Sequence, residues 1–570
     1  MKNARKIIII SFLLVTSFLG LVGRCLYLQY YRGNYYLQVS LNQQKAYSPR
    51  QPQRGTILDC RGRVLAASNN VQVIFAEPRV IEDAKTTSSD LAPFVDIGAH
   101  IICQLILESR NPGFAKIKAT SDPNECAAAT KIHGIGVQSE WQRHYPTGRL
   151  TANIVGFTSL DNRGLEGIEL AYDKELRGSP AQNIFLADVR RRPIALKEHE
   201  GVLTNGVGIV LTIDSTIQQF VRDELVMQYE SYEAESAVAI VADPKTGAIL
   251  AMVSLPDFDP AEAGSTDPNN FRSRANTDWY EPGSIIKPFV ASIAMDAGVV
   301  NKTETIFCEN GSYSGKGFGQ IGEYQRGFGN LTVAEILINS SNIGMAKIGQ
   351  RLGKDRLYEG LRLFGFGQPA GVELPGEVGG LLRPPRQWDG YSVTRIPFGQ
   401  EIGVTAMQLV RAFCILANGG RLVRPFMVRA IVQPDGRITE LNEPSPPVGY
   451  IIKPQVAEWL VKDVLVRVVT EGTGKRAQLK KWKLFGKTGT GQIAPGNLQG
   501  SSAAPGGEYS ENAYVASFLA GAPAEDPAIV VLVSIRRPNR ALGKGYSGGV
   551  VAAPVAARII ERTLNYLGVH

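Results

Sequence analysis

A chain of 570 residues, 44% hydrophobic and 20% charged, is long enough for several domains with buried cores, and its net charge of +8 is spread without a dense basic block. The basic stripe interleaved with aromatics that nucleic-acid binding requires is absent, so no nucleic-acid partner is expected. The five histidines are His100, His133, His144, His199 and His570, which leaves the interval from 201 to 569 without an imidazole for a Ser-His-Asp triad or a zinc site.

The first element is an apolar run from Ile7 to Gly23, behind Lys2, Arg5 and Lys6 and ahead of Arg24. Its length is at the short limit for a membrane span, and the positive charges ahead of it predict an amino terminus that stays in the cytoplasm. No small-x-small cleavage site follows; Tyr27, Tyr30, Tyr31, Tyr35 and Tyr36 cluster where an interfacial aromatic belt would sit, so an uncleaved anchor is expected over 1–28. From 29 to 203 the patterns are mixed strand and helix with no constellation of reactive groups, which predicts a non-catalytic module. The run Arg190-Arg191-Arg192-Pro193 reads as a solvated connector. The catalytic domain is expected over 204–570. There, strands near Ser236–Asp243 and Ala248–Ser254 pair with strands of 483–535, Val551 to Tyr566 forms a closing helix, and a helical subdomain fills about 278–474. Cys25, Cys60, Cys103, Cys126, Cys308 and Cys414 show no C-x-x-C spacing and no disulfide framework, leaving open a single bridge such as Cys103 to Cys126.

Three short motifs carry the chemistry. In Ser284-Ile285-Ile286-Lys287, Pro282-Gly283 reads as a turn into a helix, which places Ser284 at an electropositive helix start. Lys287, three residues on, lies over the same face, and Ile285, Ile286 and Phe289 would desolvate its amine so that it can take the serine proton. In Leu331 to Gln350 a helical pattern is broken by Asn339-Ser340-Ser341-Asn342, whose side chains compete with the backbone for hydrogen bonds and can turn Ser340 and Asn342 into a cleft. Lys487-Thr488-Gly489-Thr490 lies on a strand followed by a Gly/Pro/Ser-rich connector from Ile493 to Ser510. Its glycine permits close approach of a ligand beside a lysine able to bind a carboxylate. Each motif alone has a bland explanation; in this order they form a kit for acyl transfer that needs no metal and no cofactor.

On these motifs the chain resembles the penicillin-binding proteins and serine β-lactamases, and further segments narrow the resemblance to the class B, monofunctional high-molecular-weight group. Arg54-Gly55-Thr56-Ile57-Leu58-Asp59 with Gly62 and Leu65-Ala66 is similar to that group's membrane-proximal signature, with Cys60 where the family usually has arginine. Tyr145-Pro146, Asn153 to Gly156 and Gly164 to Glu169 are similar to its second non-catalytic signature. Phe398 to Thr405 with Gln408 also fits, with Glu401 where the family more often has glycine, as do Asn418-Gly419-Gly420, Phe518 to Pro523 and Gly548 to Pro554.

The resemblance implies an α+β multidomain fold: a membrane helix, a mixed α/β pedestal or dimerisation-type module over 29–203, and a transpeptidase-like domain with an antiparallel sheet flanked by helices plus a helical subdomain. It implies a peptidoglycan D,D-transpeptidase. Ser284, deprotonated by Lys287, attacks the penultimate D-Ala of a stem peptide and releases the terminal D-Ala, and a second stem's amine resolves the acyl-enzyme. Ser340 and Lys487 relay the proton to the leaving amine, and Asn342 holds the donor backbone and orients Lys287. Thr488 and Thr490 grip the carboxylate, Gly489 leaves room for it, and the N–H groups of Ser284 and Thr490 form the oxyanion hole. β-Lactams would acylate the same serine. The setting implied is septal, of the division or sporulation type, beside the cytoplasmic membrane, with a polytopic glycosyltransferase and divisome proteins as partners. The rival readings are an elongation-type enzyme, a β-lactamase, for which no deacylating carboxylate motif is recognisable, a bifunctional enzyme, for which a second catalytic module has little space, and a non-catalytic β-lactam-binding sensor or scaffold.

Overall fold

The apolar amino-terminal run forms helix α1 (Lys2–Leu26), continued by a wider turn over Tyr27–Tyr31. The computed structural model describes residues 2–43, 45–159, 161–187, 193–324, 326–440, 449–493 and 513–570. Arg190-Arg191-Arg192 and the connector beyond Ile493 lie outside them. The stretch Ala4–Tyr31 is long and apolar enough to cross a membrane, with mean hydropathy 2.2, and its side chains from Ile7 to Val22 are exposed.

The chain divides into two compact units, Met1–Gln53 with Gly178–Asn205, and Arg54–Arg177 with Gly206–His570. In the first, Lys45–Arg50, Ala181–Ala187 and Pro193–Glu200 form a three-stranded antiparallel sheet with the Ala181 strand in the middle.

The second unit holds two large sheets. One joins the pedestal to the catalytic body: Val64–Ala76 pairs with Ala115–Thr120 and Ile135–His144, and through Ile57–Leu58 the sheet continues into Gly208–Leu211 and Val428–Val432. The signature Arg54 is completely buried below it, bonded through Nε to Glu169 Oε2 at 2.5 Å and through Nη1 to Asp173 Oδ1 at 2.7 Å, while Arg143 Nε takes Glu169 Oε1 at 2.6 Å. Where Cys60 replaces the family's arginine, the ion pairs are made by its neighbours: Arg63 spans Asp59 and Asp214, and Arg61 also reaches Asp214 at 2.8 Å. All six cysteines are free, so the bridge left open between Cys103 and Cys126 is not formed.

The other sheet is the catalytic one. Its strands are β1 (Ser236–Ala242), β2 (Ile249–Leu255), β3 (Phe485–Gln492), β4 (Tyr514–Ala522) and β5 (Ile529–Arg536), all antiparallel in the order β2-β1-β5-β4-β3. This is the pairing expected from the sequence. β1 is buried along its whole length because both faces are covered. Ala237, Ala239 and Val241 pack with α2 (Ser215–Ser231) and the closing helix α6 (Ala553–Leu567), whereas Val238, Ile240 and Ala242 join the core of the helical subdomain. That subdomain contains α3 (Lys287–Asp296), α4 (Asn342–Leu352) and α5 (Ala406–Ala417), with small hairpins between. The edge strand β3 lies against the turn that begins α3.

Candidate active site

The turn before α3 is built by backbone contacts. Trp279–Tyr280 pairs with Val404–Thr405, and the chain then enters a 3-10 turn over Gly283–Ile286. Gly283 has φ 54° and donates its N–H to the Gly399 carbonyl at 3.2 Å. Gly399 sits at φ 90°, and a Cβ there would lie 2.1 Å from the Gly283 oxygen. Only glycine fits, so the Phe398-Gly399-Gln400 segment is a brace for this turn. Beside it Glu401 occupies the left-handed region at φ 58°, which explains the glycine usual there; its N–H donates to Glu281 Oε1 at 3.0 Å, and its carboxylate accepts from Arg383 at 2.6 Å and Ser392 at 2.7 Å. Ser284 is half-buried in the first turn, where N–H groups lack intrahelical acceptors, and its hydroxyl has no hydrogen-bond partner among the described residues.

Lys287 is completely buried, as are Ile285, Ile286 and Phe289 around it. Its Nζ donates to the Ser340 carbonyl at 2.6 Å and to Asn342 Oδ1 at 2.8 Å, with Ser340 Oγ at 3.3 Å; it does not bond to Ser284. A neutral amine has two N–H groups and one lone pair, and two acceptor-only oxygens at short range use both N–H groups. Burial, reinforced by the positive charge of Lys487, pushes the Lys287 ammonium well below its ordinary range, against an opposing pull from Glu323. Lys487 is also completely buried; loss of water lowers it to about 7. Its Nζ donates to Ser340 Oγ at 3.0 Å and to the Thr488 carbonyl at 3.1 Å.

Ser340 therefore stands between the two lysines. It lies in the break between helix Val333–Ile338 and α4, where the polar run interrupts the helical pattern, and its φ of 61° is left-handed. Such a conformation costs a non-glycine residue about 1–3 kcal/mol and persists where its surroundings enforce it. Here it turns both carbonyl and hydroxyl onto the lysines.

On β3 the side chains alternate. Lys487 and Gly489 face the α3 turn: a Cβ at Gly489 would lie 2.7 Å from both Ile285 Cγ1 and the Pro282 carbonyl oxygen. The glycine thus admits the serine-bearing turn against the strand. Thr488 is buried on the other face with its hydroxyl 2.6 Å from Thr473 Oγ1, and Thr490 Oγ1, half-buried, accepts from the Gly548 N–H at 3.2 Å. The structure thus gathers Lys287, Ser340, Asn342 and Lys487 into one hydrogen-bonded cluster, sets Ser284 one helical turn from Lys287, and leaves Thr490 the more accessible of the two threonines.

Comparison with known proteins agrees. Residues 237–561 match the family description "Penicillin binding protein transpeptidase domain", and residues 49–211 match "Penicillin-binding Protein dimerisation domain". This chain belongs to the penicillin-binding transpeptidase family. Among its relatives, Stage V sporulation protein D of Bacillus subtilis (strain 168) is 31% identical over 568 residues, covering 98% of this chain and 84% of that protein. Peptidoglycan D,D-transpeptidase FtsI of Escherichia coli (strain K12) is 30% identical over 524 residues, covering 90% and 84%. The crystal structure of Penicillin binding protein 3 from Mycobacterium tuberculosis complexed with aztreonam superposes with a TM-score of 0.69 at 26% identity, over 92% of this chain and 98% of that one.

Several penicillin-binding site neighbours escape sequence reading. Glu323 accepts hydrogen bonds from Ser341 and from the first turn of α4, Thr473 holds Thr488, and the Tyr324 hydroxyl, next to Glu323, donates to that of Tyr546 at 2.9 Å. None sits in a motif. Glu323 and Tyr324 follow a Gly/Ser-rich hairpin whose composition announces only a loop.

Proposed function

We infer that this chain is a peptidoglycan D,D-transpeptidase that cross-links stem peptides through a serine acyl-enzyme. The observation that carries the reading is the pair of completely buried lysines converging on Ser340, with the Lys287 amine donating to the Ser340 carbonyl and to Asn342 Oδ1, two bonds that use both N–H groups of its neutral form. Such an amine keeps its lone pair for the Ser284 proton. As the proton moves to Lys287 Nζ, Ser284 Oγ bonds to the penultimate D-Ala carbonyl carbon, and negative charge grows on the carbonyl oxygen. The N–H groups of Ser284 and Thr490 receive that charge, at about 3–4 kcal/mol of transition-state stabilisation per donor. Collapse breaks the amide, and the leaving D-Ala nitrogen takes a proton relayed through Ser340 Oγ and Lys487. A second stem's amine then attacks the ester, restoring the serine hydroxyl and leaving a cross-link. Asn342 orients Lys287 and the donor backbone. The substrate carboxylate falls to Thr490, with Thr488 contributing if its hydroxyl is released by Thr473. No cofactor or metal enters these steps.

The relatives' names support a septal or sporulation setting. Lys2, Arg5 and Lys6 ahead of α1 support a single-pass anchor with its amino terminus in the cytoplasm and the catalytic body outside, where β-lactams reach it. A division into anchor (1–28), pedestal (29–203) and catalytic domain (204–570) belongs to the same reading and accords with family matches over 49–211 and 237–561. A polytopic glycosyltransferase and divisome proteins are the partners we assign to anchor and pedestal.

The test is covalent labelling of the full-length protein in detergent with a fluorescent penicillin, followed by gel and intact mass. Wild type is expected to form a long-lived adduct that Ser284→Ala lacks. Rapid adduct loss with turnover would mean a β-lactamase, and no adduct on folded protein would mean a non-catalytic scaffold.

A further inference from the structure

Glu323 closes the hairpin formed by Ser312–Gly315 and Gly319–Gly322. Its Oε1 accepts from Ser341 Oγ at 2.5 Å and from the Ile343 N–H at 3.2 Å, and its Oε2 accepts from the Asn342 N–H at 2.7 Å. The preceding residue adds a fourth bond: Asn342 Nδ2 donates to the Gly322 carbonyl at 3.1 Å, which leaves Asn342 Oδ1 for Lys287. The hairpin end thus fixes both the backbone and the amide orientation of Asn342, and with them the neighbouring Ser340 carbonyl. The carboxylate is not required to start α4. Ser341 already caps that helix, its Oγ accepting from the Gly344 N–H at 3.0 Å.

We propose that Glu323 is a positioning residue for acylation, holding Ser340 and Asn342 where they occupy both N–H groups of Lys287 and so leave its lone pair for the Ser284 hydroxyl. The proposal rests on the reading of Ser284 as nucleophile and Lys287 as base. The groups facing Lys287 are Ser284 on its own turn, Lys487 from β3, the neutral Ser340 and Asn342 from the break before α4, and Glu323 as the negative charge. Removing that charge lets Lys287 lose its proton at lower pH.

The experiment is stopped-flow acylation of full-length protein by a chromogenic β-lactam, separating the limiting rate from the pre-acylation dissociation constant across pH 5.5 to 9. Glu323→Gln keeps size and an acceptor oxygen but not charge. It is expected to lower the limiting rate about tenfold, change the dissociation constant less than about twofold, and move the acid limb down by about half a pH unit. Glu323→Asp keeps the charge and withdraws the carboxylate by one methylene; it should slow acylation without moving the limb, and it carries the test should the glutamine variant not fold. A wild-type rate and profile in the variants overturns the proposal, as does a rate loss that only follows melting temperature, in Glu323→Gln with the limb unmoved. A wild type that is not acylated overturns the transpeptidase reading instead.

Discussion

Lys287 and Lys487 are held out of water within hydrogen-bond reach of one serine, an arrangement that costs stability a surface lysine would not. Two consequences follow for Lys487→Met. For activity, the charge of Lys487 helps burial to lower Lys287, so its removal should move the acid limb of acylation to higher pH, opposite in sign to Glu323→Gln, in the same stopped-flow profile. For stability, the folded-state value of Lys487 near 7 lies below its ordinary 10.5. Between those pH values the unfolded chain holds a proton that the folded chain lacks, so this residue makes stability rise with pH across that window, by at most about 1.4 kcal/mol per unit. The methionine variant has no such term. Its stability advantage over wild type, followed by thermal or chemical unfolding, should be largest near pH 7 and shrink toward pH 9. That Lys287, Ser340, Asn342 and Lys487 would be neighbours was legible because their residue types and order suggest one chemistry, and the structure brings them into one hydrogen-bonded cluster. Glu323 was not: its role depends on a hairpin end meeting a helix start across 19 residues, which no local pattern encodes.

Among elements, the break at 339–342 and the strand–helix order of the catalytic sheet could be read from periodicity, since apolar runs of seven to nine residues bounded by turns leave few alternatives. The brace from Gly399 could not, because a glycine in a loop does not announce what approaches it. Its geometry makes a sharp prediction. Gly399→Ala places a methyl group against the Gly283 carbonyl at a left-handed position, so the turn carrying Ser284 must shift. Acylation is expected to fall by at least about a hundredfold, as misplacement by about 1 Å does, with penicillin labelling lost well before the protein unfolds in a thermal series. The same contact logic adds to Gly489. The sequence suggests room for a ligand carboxylate, and the structure gives the strand's glycine a further reason, the close approach of the turn that carries Ser284.

At the scale of the second compact unit, pedestal and catalytic body are tied by a shared sheet and by the ion pairs of Arg61 and Arg63 with Asp214, while a second ion network of different character lies inside the pedestal. Arg54 and Glu169 are wholly buried and fully paired, so Arg54→Ala leaves a carboxylate without its main partner and should destabilise the unit by about 3–5 kcal/mol, measured as a drop in unfolding midpoint with residual penicillin labelling at low temperature. Arg61→Ala at the half-exposed pair with Asp214 should shift the midpoint far less. The signatures at Arg54 and Glu169 were visible as a family pattern; that they bind one another was not, because 115 residues separate them.

The strand order has a meaning for biosynthesis. The serine leaves the ribosome about two hundred residues before Lys487, and β5, the last strand made, lies at the centre of the sheet, between β1 and β4. Until it arrives, the sheet lacks the strand that hydrogen-bonds β1 on one side and β4 on the other. The proposed nucleophile Ser284 and the lysine on β3 are therefore brought together only after the polypeptide is nearly complete, and a partly synthesised chain that ends before β3 holds the serine without that lysine. On the proposed mechanism, acylation by a β-lactam is expected to report finished folding, and a fragment that ends before residue 529 is expected not to be labelled.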